Sequence, residues 1–507
     1  MLAQLAGGFY NAVIADFNFL YMIGGVILGV VLGAIPGLTC LTAIALIVPL
    51  TYYMDTITAM ALLIAIYIGG IYGGSISAIL LGTPGTPASA ATTLDGYQMA
   101  KQGRGGKALK AAVVASSIGI LFSALVLTFL AGPVASLALK FGPGEYTVLL
   151  ILALSVIGSV AGKSLARGML CALVGIFFST IGLDPLAYAS RYSFGRTEFL
   201  SGFEMSVVLI GLLAVSELLV QIEQLHRKNK NKEQTVLLPP PKTADDMRFT
   251  LKDQKSCAMT TIRGSIIGVI VGILPAMGSA IASYMSYDFA KRGSKHPEQF
   301  GKGAVEGVVA SEVANNAVCG AAMVPLLAFG IPGDAVAAVL IGVFMIQGLS
   351  PGPAIFNQAP ELVYSIYASF IVGSLLLVAI MFILLPLFVK VAKVPMSIVF
   401  PCVIVACIIG AYAARQNPFD ILVMLFFALI GYLMIKFGFP TTPMLIGYIL
   451  GPMLEKYFRQ ALIISQYDFM IFFSTPVTWI LWALTLFSVV SIVSSKKKNA
   501  MLKMSEE

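Results

Sequence analysis

The sequence predicts an all-α, polytopic membrane protein built from two repeats, read as inverted, with broken helices or re-entrant hairpins at Pro-Gly motifs and about 11–12 spans. Three observations lead there. Of 507 residues, 58% are hydrophobic and 11% charged, whereas soluble domains carry roughly 25% charged residues. Gly25, Gly29, Gly33 and Pro36 recur with identical spacing as Gly264, Gly268, Gly272 and Pro275. A second break, Gly82-Thr83-Pro84-Gly85, recurs as Gly330-Ile331-Pro332-Gly333 in otherwise apolar sequence.

Apolar runs near the length that crosses hydrocarbon fall at 20–50, 57–81, 108–131, 145–162, 168–184 and 203–222 in the first half. The second half continues at 262–287, 304–328, 335–347, 362–390, 395–413, 419–437, 441–454 and 470–494. The runs are continuous and do not alternate, which excludes a barrel. The opening residues lack the basic start and cleavage site of a removable signal, so the first run is expected to stay in the protein. The organisation is a first repeat (1–225), a polar linker (226–260) stiffened by Pro239-Pro240-Pro241, a second repeat (261–494) and a basic tail (495–507).

The net charge of +8 reflects topology and does not point to nucleic acid. No Lys or Arg precedes Lys101; the excess sits at Lys101, Arg104, Lys107 and Lys110, at Arg227, Lys228, Lys230 and Lys232, and at Lys496, Lys497 and Lys498. Basic flanks mark the cytoplasmic side. The linker and the C-terminal tail are therefore expected inside and the uncharged N-terminus outside. If residues 57–97 form a hairpin around Pro84-Gly85, each half crosses an odd number of times and the second half is upside down. The 97–107 loop then faces the cytoplasm and the 348–360 loop the outside. One cluster, Lys291, Arg292, Lys295 and Lys302, would fall outside against the rule. Full crossings would instead give twelve spans and parallel halves.

Gly25 and Gly29 suit close helix packing, but at Pro36-Gly37 the chain breaks in mid-span, freeing amides that attract anions. Thr39 follows in the first copy; Gly278 and Ser279 follow Pro275 in the second. Hydroxyls also surround the next break: Ser75, Ser77, Thr83, Thr86, Ser89, Thr92 and Thr93, with Asp95. The candidate substrate-binding residues are Pro36, Gly37, Thr39, Thr83, Pro84, Gly85, Thr86, Pro275, Gly278, Ser279, Pro332 and Gly333, with the tip backbone at Gly85 and Gly333 expected to approach ligand. The candidate coupling-ion residues are Glu312, Asn315, Asn316, Asp334 and Asp95. Intramembrane acids are rare and usually functional, and amide oxygens suit a small hard cation such as sodium, or else the Asn pair bonds between helices.

The chain has no Gly-x-x-x-x-Gly-Lys-Ser/Thr phosphate loop. Its two His, His226 and His296, form no His-Glu-x-x-His motif, and its six Cys have no Cys-x-x-Cys spacing. It is not expected to be an enzyme or to carry a cofactor or a transition metal. Trp479 and Trp482 suit interface anchors near Pro476.

Gly33-Ala-Ile-Pro-Gly-Leu38, Tyr72-Gly-Gly-Ser75, Ile79-Leu-Leu-Gly-Thr-Pro-Gly85 and Asp95-Gly-Tyr-Gln-Met-Ala100 resemble TctA, the large membrane subunit of tripartite tricarboxylate transporters. So do Phe300-Gly-Lys-Gly303, Glu306-Gly-Val-Val-Ala-Ser-Glu312, Ala314-Asn-Asn-Ala317, Gly330-Ile-Pro-Gly333 and Pro351-Gly-Pro-Ala354 in the second half. The chain departs at Leu274-Pro-Ala-Met-Gly278, where the family usually has Leu-Pro-Gly-x-Gly, and at Ala310-Ser-Glu312, where Pro commonly precedes Glu. The resemblance implies an ion-driven secondary importer of a small tri- or dicarboxylate such as citrate, in the bacterial inner membrane. Its implied partners are a small TctB-like membrane subunit and a TctC-like periplasmic solute-binding protein, with a sodium ion or proton as coupling ion. A passive anion channel and a non-transporting membrane scaffold are the alternatives.

Overall fold

The computed structural model of the chain describes residues 2–35, 37–160, 165–184, 186–228, 239–241, 243–274, 277–391 and 396–504. Candidate site residues Pro36 and Pro275 lie outside the described residues, as do Lys230 and Lys232. A short helix α1 (Leu2–Phe9) leads into α2 (Asn18–Ala34), which ends at the Pro36-Gly37 break, and α3 (Cys40–Ile47) begins behind an N-cap at Thr39. α4 (Thr56–Leu81) starts where Asp55 accepts the amides of Ile57 and Thr58, and stops at Gly82, whose φ of +69° costs a glycine little. Then come α5 (Ala90–Lys101), α6 (Gly105–Ala138), α7 (Pro143–Val160), α8 (Leu165–Ser179), α9 (Met205–Leu209) and, through a π turn, α10 (Ser216–Lys228).

The second half repeats the order. After α11 (Leu251–Ser256), α12 (Ala258–Ile273) and α13 (Gly278–Gly293) flank the break at Pro275, and α14 (Val305–Ala321) with α15 (Met323–Phe329) ends at Gly330, φ +72°. α16 (Ala335–Ile346), α17 (Ile355–Gln358), α18 (Pro360–Val391), α19 (Met396–Arg415), α20 (Pro418–Lys436), α21 (Thr441–Ile464) and α22 (Pro476–Met504) follow. Seven helical stretches among the described residues are long and apolar enough to cross a membrane, and shorter apolar helices accompany them. The breaks explain why fewer full-length spans appear than the apolar runs predicted: they divide several runs into half-length helices.

Both break-containing pairs are hairpins that return to the face they left. Thr260 at the start of α12 and Ser294 just past α13 share the carboxylate of Glu306, at 2.6 and 2.8 Å. At the other face, Gln347 donates to the carbonyl of Thr51 at 2.7 Å, beyond α3, while Gly8, ahead of α2, lies against the backbone of Tyr364. The runs at 20–50 and 262–287 therefore do not cross.

The halves run in opposite senses. α4 begins at the Gln347 face, where Thr56 Oγ1 donates to Gln347 Oε1 at 3.2 Å, and its last turn reaches the start of α6, with Leu80 facing Gly105. Its counterpart α14 begins at the face of Gln102, which donates to the Lys302 carbonyl at 2.7 Å, and α15 ends where Phe329 stacks on Phe141, beyond the far end of α6. This is the inverted arrangement, with loops 101–104 and 347–359 on opposite faces. The expectation that Lys291, Arg292, Lys295 and Lys302 would fall on the other face from Lys101 is corrected: the hairpin brings Lys302 against Gln102. The basic residues at 101–110 and 291–302 then share one face, the cytoplasmic one by the charge rule.

The glycine stripes do what close helix packing requires. A Cβ on Gly29 would stand 2.4 Å from the Ile66 carbonyl oxygen, and one on Gly268 2.4 Å from that of Ala314. Each stripe seats its helix on the buried long helix of its own half, α4 or α14.

Among the described residues one short ladder interrupts the helical plan, Gly182–Leu183 paired antiparallel with Ser190–Arg191. Asp184 anchors this loop, accepting the amides of Leu186 and Ala187 at 2.7 and 2.8 Å and Arg459 Nη1 at 2.8 Å. The Ala187 amide, with Arg459 and Arg191, holds its carboxyl well below the usual carboxylate range. Trp482 Nε1 donates to the Phe472 carbonyl at 3.0 Å beside exposed Trp479, as suits an interface belt at the start of α22.

Candidate functional site

The four breaks, two from each half, meet at one cavity of about 490 Å³. Its wall is formed by the residues that restart the helices: Thr39 and Cys40 after the first break, Thr86 and Pro87 after the second, Gly278 and Ser279 after the third, Asp334 and Ala335 after the fourth. Amides at a helix start have no intrahelical acceptor and carry the positive end of the helix dipole. Four chain restarts around one space suit an anion, and no Lys or Arg among the described residues lines the cavity.

Close approach of backbone fixes the tips. A Cβ on Gly85 would stand 2.4 Å from the Gly33 carbonyl oxygen; one on Gly333 would stand 2.5 Å from Ala322 Cα and 2.7 Å from the Gly272 carbonyl oxygen. The equivalence is two-fold: Gly85 meets Gly33 as Gly333 meets Gly272. The amide of Gly85 also donates to the Gly74 carbonyl at 3.2 Å. The tips are thus glycine because they press on the neighbouring hairpin, not because their backbone borders the cavity.

Thr39, Thr86, Gly278, Ser279 and Asp334 line the cavity. Thr83 and Pro84 form an exposed turn outside it, and Gly37, Gly85, Pro332 and Gly333 stand behind it as support. The carbonyl of Gly37, at φ +89°, accepts from Gln221 Nε2. Thr39 Oγ1 caps α3 by accepting the Thr42 amide at 3.3 Å. Thr86 and Ser89 cap one another, with Ser89 Oγ donating to the Thr86 carbonyl at 2.9 Å. Asp334 caps α16 through the Ala337 amide at 2.7 Å and accepts from Tyr67 Oη at 2.5 Å.

A buried polar cluster sits on α14 at the interface of the halves. Glu312 accepts Ser75 Oγ at 2.7 Å, Ser116 Oγ at 3.0 Å and Thr92 Oγ1. Ser75 and Thr92, two of the hydroxyls around the second break, are therefore spent on a carboxylate of the chain itself. Asn316 Nδ2 donates to Ser116 Oγ at 2.9 Å, but Asn316 Oδ1 and both polar atoms of Asn315 are buried without a partner. An unpaired buried amide costs about 1–3 kcal/mol, so Asn315 and Asn316 are candidates to hold a ligand. Asn315 also occupies the place in α14 that Tyr67 occupies in α4, and Thr86 matches Asp334. The Tyr67–Asp334 bond thus has no counterpart at Asn315.

Asp95 works elsewhere. Its Oδ1 accepts the amides of Gly301, Gly303 and Ala304 at 2.9, 2.8 and 2.8 Å, and its Oδ2 accepts Tyr287 Oη at 2.8 Å. It clamps the α13–α14 loop of one half to α5 of the other.

Sequence reasoning passed over Pro440, Thr442 and Pro443, which close the cavity from the start of α21. Their signature, hydroxyls between prolines in Pro440-Thr-Thr-Pro443, parallels Thr86-Pro87 and could have found them.

Residues 19–446 match the model of a family described as the tripartite tricarboxylate transporter TctA family. An uncharacterized 52.8 kDa protein in the TAR-I ttuC′ 3′ region of Agrobacterium vitis is 37% identical over 490 residues, 97% of this chain and 96% of that protein. A second uncharacterized protein, from the TAR-II ttuC′ 3′ region of the same organism, is 40% identical over 223 residues, 44% of this chain and 92% of its own length. No solved structure matches the chain.

Proposed function

The chain belongs to the tripartite tricarboxylate transporter TctA family, and we propose that it carries a small tri- or dicarboxylate, citrate being the reference case, into the cell at the expense of an ion gradient. The observation that carries this reading is the convergence of four helix breaks, two from each half, on one cavity without a cation in its wall. Restarting helices offer amides to a carboxylate, and Thr39, Ser279 and Thr442 add hydroxyls. Because the halves are inverted, exchanging their conformations would open the cavity to the opposite face, which is alternating access.

The coupling ion fits the α14 cluster. Asn315 Oδ1 and Asn316 Oδ1 offer unsatisfied oxygens for a sodium ion, and Glu312 beside them holds a carboxylate that could take a proton instead. A TctB-like small subunit and a TctC-like periplasmic binding protein, as expected of an inner-membrane tripartite system, would deliver the substrate to the face of loop 347–359. Uptake of labelled citrate and smaller dicarboxylates by cells carrying the chain with both partners tests the reading. Accumulation against a gradient that collapses with an ionophore is expected; gradient-independent equilibration without the binding protein would mean a channel.

A further inference from the structure

The basic face holds a second cavity, of about 640 Å³, at the foot of the α12–α13 hairpin. Arg104 from the α5–α6 turn, Arg263 of α12, and Lys295 and His296 of the α13–α14 loop face it. A Cβ on Gly293 would stand 2.8 Å from Arg263 Nη1, so the guanidinium lies across the hairpin mouth. The one acidic group in the wall, Glu306, already accepts the hydroxyls of Thr260 and Ser294. Two arginines and a lysine thus face a cavity with a single, occupied carboxylate.

The neighbouring surface is apolar and open. Met259, Ile262, Ile266 and Ile270 are all exposed at helical spacing along α12, which starts at the pocket. A soluble anion would use the cations and leave this stripe idle. A phospholipid would use both: Arg forks its phosphate oxygens, and its chains lie along the stripe. Basic pockets between spans on the cytoplasmic side suit anionic headgroups.

We propose that this pocket binds the phosphodiester headgroup of an anionic phospholipid from the cytoplasmic leaflet, tying the α12–α13 hairpin to the α5–α6 turn of the other repeat. The test is native mass spectrometry of the full chain released from nanodiscs of phosphatidylcholine doped with phosphatidylglycerol. Wild-type protein should retain phosphatidylglycerol, and the double variant Arg263→Gln/Lys295→Gln should retain roughly thirtyfold less, as loss of two surface cations near the headgroup implies. Lys295→Gln alone, in an exposed loop, should lose part of that retention without disturbing the fold, checked by monodisperse elution. Arg248→Gln, outside the pocket, should match wild type. Equal retention by the double variant, an equal loss in Arg248→Gln, or displacement of the lipid by millimolar inorganic phosphate would overturn the proposal, the last by assigning the pocket to a soluble anion.

Discussion

The hydroxyl of Tyr67 in α4 donates a 2.5 Å hydrogen bond to the carboxylate of Asp334, so the first repeat holds the restart of the second repeat's broken helix. Asp334 in turn caps α16 and lines the cavity. Replacing Tyr67 by Phe keeps the ring and leaves a buried carboxylate short of one donor. Loss of such a bond is worth about 1–3 kcal/mol. The variant should insert normally, melt earlier in detergent and need more substrate for half-maximal uptake, as thermal-shift and uptake assays would show.

Gly85 and Gly333 press on the carbonyls of Gly33 and Gly272. Even one methyl group must displace a hairpin, at an overpacking cost of about 1–3 kcal/mol. Gly85→Ala and Gly333→Ala are each expected to cut uptake severely while membrane insertion survives, and valine at either site to abolish it. Normal uptake by both Val variants would show that the tips have room.

The unpaired polar atoms of Asn315 and Asn316 predict an effect on ion dependence. Asn315→Ala and Asn316→Ala should raise the sodium or proton concentration needed for half-maximal uptake more than they change apparent substrate affinity at saturating ion. Unchanged ion dependence in both would make the pair a packing feature.

Single cysteines at Gln102 and Gln358, in a background lacking the native thiols, test the opposite courses of the halves. In intact spheroplasts a membrane-impermeant maleimide should label Gln358→Cys and spare Gln102→Cys. Equal labelling in sealed membranes would contradict inversion.

Much of this was legible in the sequence because proline and glycine leave local marks. The repeat could be read from the spacing of Gly25, Gly29, Gly33 and Pro36, and the restarts at Thr39, Thr86 and Ser279 from the hydroxyls behind each break. The direction of the chain after a break could not: a proline ends a helix whether the chain continues or turns back. For that reason the run at 262–287 read as a crossing and left Lys291 and its neighbours on the wrong face. Roles that depend on tertiary partners were equally hidden. Asp95 read as an intramembrane acid for ion chemistry, yet its partners are three amides some two hundred residues away, at Gly301, Gly303 and Ala304. Thr442 lies in the last third of the chain, outside the four duplicated breaks, and although its Pro-Thr-Thr-Pro setting resembles Thr86-Pro87, folding is what brings it to the cavity.

The proposed carboxylate substrate would sit where the four breaks meet. The most direct measurement places a single cysteine at Ser279 or Thr442, two cavity residues from different elements, and follows the rate of modification by a small charged thiol reagent with and without the transported carboxylate. Both positions should react and substrate should slow both, in proportion to its occupancy, while a cysteine at Gln358 should react at an unchanged rate. Reaction at Ser279 and Thr442 that saturating substrate leaves unaltered, in protein shown to transport, would place the carboxylate elsewhere.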